Sequence, residues 1–214
     1  TVCWRRERRN VMTDDRIEKE ERTNQLEPEE LNPCAVICMA FRPEELFSIP
    51  AGTKILEGCR GQDYQEAGIP DGVEILANWA FAQCGRLEWV RLPQTLRIIG
   101  EHAFRECISL AEITIPDGVK EIRGGTFSGC SALGTVTLPP GLREIGAYAF
   151  SCCDSLREIV IPDGVQTLGR GAFEGCSALC RAELPASFRA PKKQEMLDAA
   201  GIRENIRVYR REST

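Results

Sequence analysis

A 23-residue repeat constrains the fold of this chain more than any other feature of its sequence. A proline closes each copy, and one phenylalanine, one cysteine and one leucine keep fixed places within it. The recurring sets are the proline column (Pro70, Pro93, Pro116, Pro139, Pro162, Pro185), the phenylalanine column (Phe81, Phe104, Phe127, Phe150, Phe173), the cysteine column (Cys84, Cys107, Cys130, Cys153, Cys176) and the leucine column (Leu87, Leu110, Leu133, Leu156, Leu179). A constant period of this size is typical of solenoids, in which stacked repeats bury a shared core. The sequence therefore predicts an elongated repeat fold.

The spacing of apolar residues changes within each repeat. Phe150, Cys153 and Leu156 lie three residues apart, which predicts a short helical segment with one apolar side. In residues 158–161, Ile159 and Ile161 point to one side and Glu158 and Val160 to the other, which is the alternation of a strand. The closing proline, Pro162, ends that strand. Residues 162–168 form a turn followed by a second short strand. One repeat is thus strand, turn, short strand and helical turn.

These residues resemble the BspA-like (bacterial surface antigen type) leucine-rich repeats. The resemblance rests on Ile-Pro-Asp-Gly-Val, then Ile or Leu, Ala-Phe, Cys, Leu and Ile-x-Ile-Pro, and it is strong over residues 69–185 and weak over 47–68. It implies an α/β repeat fold, a right-handed leucine-rich-repeat solenoid with atypical capping segments. It also implies protein recognition, often at bacterial surfaces, and no catalytic activity.

The repeat divides the chain into three predicted regions. Residues 1–45 are a charged N-terminal segment ending in an N-terminal cap. Residues 46–185 are the solenoid, degenerate over 46–68 and regular over 69–185. Residues 186–214 form a C-terminal cap, with a helix near 192–200 ended by Gly201 and a strand near 205–210 that pairs with the last repeat strand.

Composition and charge exclude several classes of partner. The formal net charge of -5 gives no general attraction to nucleic acid or to an anionic membrane. No apolar run approaches the ~20 residues that a membrane-spanning helix needs, so no membrane insertion is expected. The compartment stays open: family resemblance suggests secretion or the cell surface, and the cytoplasm applies only if the missing signal peptide is real, which the start of this sequence does not decide. A monomer is expected.

The cysteine column is predicted to be a buried, reduced ladder. Four zinc ligands must converge on one point, whereas a ladder spreads its thiols along a line. Stacked neighbours at a strand spacing of ~4.8 Å are also farther apart than the ~3.8 Å between the Cβ atoms of a disulfide. Small buried hydrophobic side chains are therefore the preferred interpretation. The thiols expected to be exposed are Cys3, Cys59 and Cys152, and the pairs expected to be structural are Cys34/Cys38 and Cys176/Cys180.

The sequence offers no catalytic residues, cofactor site or metal site. His102, the only histidine, shares its repeat position with Trp79, Gly125, Tyr148 and Gly171, a set too variable for a tuned acid or base. No serine or cysteine nucleophile stands at a recognisable spacing from a base. The Asp-Gly pairs read as turns, because other copies fill the same places without a carboxylate.

Binding is the remaining function, and the strand alternation shows where to look. Apolar strand positions point inward, and the alternating positions form a solvent-facing surface that we call the ladder face. Its predicted partner-binding residues are Trp89, Arg91, Glu112, Thr114, Thr135, Thr137, Glu158, Val160, Arg181 and Glu183. Trp89 beside Arg91 is the best anchor, since Trp and Arg are over-represented at binding hot spots. At ~4.8 Å per strand, this surface is expected to run continuously for about 19 Å across five strands.

Alternatives to this reading remain open. The ladder face could be a merely solvated sheet surface, and the solenoid could be a structural spacer that presents the N-terminal segment. A glycan-binding or host-surface adhesin module is a further alternative. A second candidate surface is the aromatic column of Trp79, His102 and Tyr148.

Overall fold

The computed structural model describes residues 54–58, 64–189, 191–202 and 206–210. The predictions for residues 1–53, including the N-terminal cap, and for Cys3, Cys34, Cys38 and Cys59 lie outside these ranges. Within them, the chain winds into stacked coils that repeat every 23 residues, as the parallel register of successive strands shows.

Each coil contributes one strand to each of two faces. The ladder-face strands are β2 (Glu66–Gly68), β4 (Trp89–Arg91), β6 (Glu112–Thr114), β8 (Thr135–Thr137), β10 (Glu158–Val160) and β12 (Arg181–Leu184). The strands of the second face are β1 (Ile55–Leu56), β3 (Ile75–Leu76), β5 (Ile98–Ile99), β7 (Glu121–Ile122), β9 (Glu144–Ile145) and β11 (Thr167–Leu168). All pairings are parallel, because each strand meets its counterpart one full coil later.

The third side of each coil is a series of turns, and the predicted helical segment is wrong. From His102 to Cys107, alternate N–H groups bond within the coil and to the next coil: Phe104 donates to the Thr126 carbonyl at 2.8 Å, and Cys107 donates to the Phe104 carbonyl at 3.2 Å. His102 and Glu106 have positive φ values of 56° and 60°, which a helix does not allow. Regular helix is thus minimal, and the α/β description is too strong.

The phenylalanine column is the centre of the core, as predicted. Its five rings are 0–1% exposed, and successive rings stack with centroids 5.2, 5.4, 5.3 and 5.6 Å apart. These separations lie in the range in which offset aromatic pairs are favourable. The leucine column is also buried. Together the two columns fasten each coil to the next.

The cysteine column is buried at its first four positions only. Cys84, Cys107, Cys130 and Cys153 are 0% exposed, whereas Cys176 is half-buried, so the expectation of five buried thiols is wrong at the last position. Cys176 belongs to the last regular coil, where Gly201 and Ile206 take the place of a following coil. A cavity of about 230 Å³ remains between Cys176 and these residues.

The C-terminal elements lie against the last coil. A 3-10 turn at Ala186–Arg189 precedes helix α1 (Pro191–Ala199), and Gly201, with a φ of 90°, follows two residues after the helix ends. The carbonyls of Ala199 and Ala200 accept the N–H groups of Gly171 and Phe173 at 2.7 and 2.8 Å, as a further coil would. Strand β13 (Arg207–Arg210) then pairs in parallel with β12, which confirms the predicted pairing.

Candidate binding face

The ladder face exposes the side chains that strand alternation assigns to it. Trp89 and Val160 are each 42% exposed, and the other predicted residues are exposed except Glu183, which is half-buried. The inward residues of the same strands are buried, apart from the half-buried Val136. The two sets therefore follow from the period-two geometry of a strand.

Hydrogen-bonded pairing along the ladder is interrupted. Among the described residues, hydrogen-bonded pairing joins β2 to β4, β6 to β8, and β10 to β12 and β13. The backbone opens between β4 and β6 and again between β8 and β10. The ladder face therefore carries two gaps, each between neighbouring coils.

The first gap opens between β4 and β6 and has a volume of about 320 Å³. Ala111 N–H still donates to the Glu88 carbonyl at 3.0 Å, so the strands stay joined at their starts and separate toward their ends. Trp89 and Arg91 line the gap, together with Glu112 and, at its far end, Gln94. Its apolar lining residues are Val90, Leu92 and Ile113.

The second gap, between β8 and β10, has a volume of about 350 Å³ and is less polar at its rim. Val160 lines it, along with the half-buried Val136 and Leu138, and Asp163 is its only charged lining residue among those described. In both gaps, the inward residues of the earlier strand are more exposed than those of the later strand. At the first gap, for example, Val90 in β4 is 8% exposed, whereas Ile113 in β6 is 2% exposed. The gaps thus bring solvent close to the edge of the core.

Charges on the ladder face differ between its two ends. Arg181 is paired with Glu158 at 3.7 Å and with Glu183, and its guanidinium lies 4.7 Å from the ring centroid of Tyr209. Near the other end, Glu66 lies directly opposite Trp89 in the paired strands, and Gly68 lies opposite Arg91. A Cβ added to Gly68 would meet nothing within 4 Å, so the space beside Arg91 is open. Within the described ranges, the charged side chains around Trp89 form no ion pair.

The second candidate surface, the aromatic column, is a set of positive-φ residues. Trp79, His102 and Tyr148 have φ values of 64°, 56° and 56°. The Trp79 and His102 rings stack with centroids 4.2 Å apart, while Gly125 lies next along the column and has no ring to add. The column is thus split into a stacked pair and a separate tyrosine, and it presents no continuous aromatic surface.

Other kinds of site find no support in the part of the chain that the structure describes. No group of three or more His, Cys, Asp or Glu side chains there converges as metal ligands would. No described helix has the length and apolar character needed to cross a bilayer.

Sequence reasoning missed Glu66 and the two gaps. Glu66 stands 23 positions before Trp89, but the degenerate first coil hides its membership of the ladder face. The gaps have no sequence signal, because paired and unpaired strands show the same alternation of inward and outward residues.

Comparisons with known proteins agree with this architecture. A sequence profile of the BspA type leucine-rich repeat region matches residues 57–180 in 6 copies. A leucine-rich repeat protein of T. pallidum, known from a crystal structure, is 40% identical with a TM-score of 0.54, over 56% of this chain and 58% of that chain. A leucine-rich repeat protein of Eubacterium ventriosum is 22% identical with a TM-score of 0.35, over 58% of this chain and 46% of that chain. A leucine-rich repeat protein of Bacteroides ovatus is 21% identical with a TM-score of 0.34, over 74% of this chain and 58% of that chain. This chain therefore matches only about half of the length of these relatives. No curated protein matches it.

Proposed function

The chain belongs to the BspA-type leucine-rich repeat family, and on that premise we propose that it is a non-catalytic module that recognises a protein partner on the ladder face. The partner docks at the first gap, with Trp89 and Arg91 as its main contacts. The family supports a binding or adhesion role in general. The choice of face and residues is our proposal.

One observation carries this choice: the strands separate beside Trp89 and Arg91, which are both exposed. Trp89 combines a large apolar ring with 42% exposure, and Arg91 follows two residues later on the same side of the strand. The gap between them and Glu112 reaches the buried side chains of Val90 and Ile113. Interfaces gain most of their affinity from aromatic and arginine anchors next to such desolvated depressions.

The size of the gap favours a protein segment over a small metabolite. Its volume of about 320 Å³ is at the lower end of the ~300–1,000 Å³ that small-molecule pockets occupy, and it is open along the strand ends. An inserted side chain of a partner fits this shape, while the rest of the partner spreads over the neighbouring strands.

The experiment compares the intact chain with the double variant Trp89→Ala/Arg91→Ala. Peptides are selected from a random displayed dodecapeptide library on the intact chain, and their affinities are then measured for both proteins. We expect the double variant to lose at least tenfold in affinity with a nearly unchanged Tm, because neither side chain is in the core. The control is Glu121→Ala/Arg143→Ala, which removes two exposed side chains at the second face. Selected peptides that bind the Trp89/Arg91 variant as tightly as the intact chain would show that the chosen face is wrong.

The proposal includes a location outside the bacterial cell or at its surface, in line with the family. Cys152 is exposed and provides the test. A membrane-impermeant maleimide should label it on intact producing cells. Labelling only after lysis would contradict this location.

A further inference from the structure

Two carboxylates flank the exposed indole of Trp89 across the ladder. Glu66 is its direct register partner in β2, and neighbouring strands lie about 4.8 Å apart. Glu112 begins the strand on the other side and lines the same gap as Trp89. The bond from Ala111 N–H to the Glu88 carbonyl keeps the strand starts together, so Glu112 stays close to Trp89 even though the strand ends separate.

These three side chains are uncommitted in the described structure. Within the described ranges, neither Glu66 nor Glu112 forms an ion pair, whereas Glu158, at the same place two coils beyond Glu112, is paired with Arg181 at 3.7 Å. Trp89 has no ring or cation partner there either, in contrast to Trp79, which is stacked on His102. An exposed aromatic ring between two unpaired carboxylates is the arrangement that favours a positively charged side chain.

We propose that this arrangement binds a cationic side chain, lysine or arginine, of the partner, held on the Trp89 indole between the carboxylates of Glu66 and Glu112. This inference rests on the proposed function and names the chemistry of the partner at the same site. The electron-rich face of tryptophan attracts cations more strongly than any other side-chain ring. Two carboxylates add Coulomb attraction from both sides, and a polyanion is repelled by them.

Arg91 extends the pattern along the strand. Its guanidinium lies beside the open position of Gly68, so an acidic group of the partner has room to meet it. The partner segment is therefore expected to carry a basic residue, with an acidic or polar residue close by. A purely basic probe tests the first of these contacts alone.

The first test uses hexalysine as the probe and the Trp89 indole N–H signal of the ¹⁵N-labelled chain as the readout, assigned with Trp89→Phe. We expect hexalysine to shift this signal, and hexaglutamate at the same concentration to leave it in place. Glu66→Gln/Glu112→Gln should weaken hexalysine binding at Trp89 at least fivefold. The matched control Glu121→Gln/Glu144→Gln removes two exposed carboxylates of the second face, on β7 and β9, and changes the net charge equally. It should weaken binding less than twofold.

Two outcomes of this test overturn the inference. One is the absence of a Trp89 shift with hexalysine. The other is an equal loss in both double variants, which would mean only general attraction to a chain of net charge -5.

The selected dodecapeptides separate this inference from the proposed function. If they require Trp89 and Arg91, are enriched in lysine or arginine and weaken on Glu66→Gln/Glu112→Gln, both proposals hold. If they require Trp89 and Arg91 but show no basic enrichment and bind the glutamine variant unchanged, the cation site is wrong and the docking face stands. If they do not require Trp89 and Arg91, or if no peptide is recovered, both are overturned.

Discussion

The Cys130 thiol donates a hydrogen bond to the carbonyl oxygen of Phe104, 26 residues earlier, at 3.1 Å. The same contact recurs from Cys107 to Phe81, from Cys153 to Phe127 and from Cys176 to Phe150, at 3.1, 3.3 and 3.0 Å. The cysteine column is therefore more than a row of small apolar side chains. Each thiol links its coil to the phenylalanine backbone of the coil before.

Replacing one of these thiols should have a measurable cost. Cys130→Ala removes a buried sulfur atom and leaves the Phe104 carbonyl with one donor fewer, so we expect it to lower the free energy of unfolding by about 1–2 kcal/mol. Cys152→Ala, at an exposed neighbouring position, should change it by less than about 0.5 kcal/mol. Urea denaturation of both variants makes the comparison. Equal effects would mean that the thiol bond contributes nothing.

Thiol labelling should separate the cysteines by position. Cys152 and Cys180 are exposed and should react first with a maleimide at pH 7, while Cys107, Cys130 and Cys153 should stay protected. Cys176 should fall between the groups. The neighbouring Cys153 thiol lowers the pKa of Cys176, so its labelling rate should level off at a lower pH than that of an ordinary thiol. Mass spectrometry of peptides from timed samples checks the order. Rapid native labelling of Cys130 would contradict the buried ladder.

The buried thiols should also make the protein less stable in alkali. The neighbouring Cys107 thiol, together with burial, raises the pKa of Cys130 well above its usual value of 9.0. The neighbouring Cys176 thiol and burial raise the pKa of Cys153 in the same direction. Above about pH 9 the unfolded thiols lose their protons while these two keep theirs in the folded state. Stability is therefore fully present below that pH and falls as pH rises, by about 1 kcal/mol per pH unit for each thiol.

Urea unfolding at pH 8, 9 and 10 measures this slope. In the Cys130→Ala variant, the free energy of unfolding should fall less steeply with pH than in the original chain, since the variant lacks one of the two thiols. Lysines and tyrosines titrate equally in both proteins and cancel in the comparison. Identical slopes would show that Cys130 ionises as easily folded as unfolded.

The repeat predicted the core but not the path of the backbone between its strands. Phenylalanine and leucine positions follow directly from the period, because every coil must fill the same interior. The helix prediction was wrong because a three-residue spacing of apolar residues also suits consecutive turns. In these turns the N–H groups donate alternately to carbonyls of their own coil and of the next coil. A clue was present in the column that holds Gly125 and Gly171 beside Tyr148, since glycine recurring at one place favours a left-handed backbone.

The candidate site was predictable only in outline. Alternation placed Trp89 and Arg91 outward, and both are exposed. The opening between β4 and β6 depends on how closely two coils approach, which no residue type in those strands encodes. Glu66 escaped notice because its coil lacks the Ala-Phe pair that marks the others.

Removing one ring from the phenylalanine column should be costly. Phe127 is fully buried between Phe104 and Phe150, at centroid distances of 5.4 and 5.3 Å. We expect Phe127→Ala to lower the free energy of unfolding by about 3–5 kcal/mol, as truncation of a buried phenylalanine usually does. Thr137→Ala, at an exposed position of β8, is the control and should change the free energy of unfolding by less than about 0.5 kcal/mol. A Phe127→Ala effect no larger than the control would contradict the stacked core.

The ring of His102 fills the space that a side chain on Gly125 would need. A Cβ built on Gly125 would lie 2.2 Å from the His102 Nδ1 atom, and Gly125 itself has a φ of 60°. Gly129 offers a comparison, because it has a similar φ of 79° but the nearest atom to its Cβ would be the flexible Glu106 Cγ, at 3.2 Å, with ordinary contacts to the Glu106 backbone at 3.6 and 3.7 Å. The two glycines share the backbone strain of an alanine substitution, and only the first adds a clash with a ring.

We therefore expect Gly129→Ala to cost about 1 kcal/mol, the usual penalty for a side chain at positive φ. Gly125→Ala should cost about 0.5–1.5 kcal/mol more, since His102 must leave its place and give up its stacking on Trp79. In a His102→Gly background this excess should disappear, because no ring remains to be displaced. Thermal and urea unfolding of the four variants completes the cycle. If Gly125→Ala still costs more than Gly129→Ala when His102 is absent, the clash does not involve the His102 ring. Contact between rings and glycines would then not explain why they occupy neighbouring places in this column.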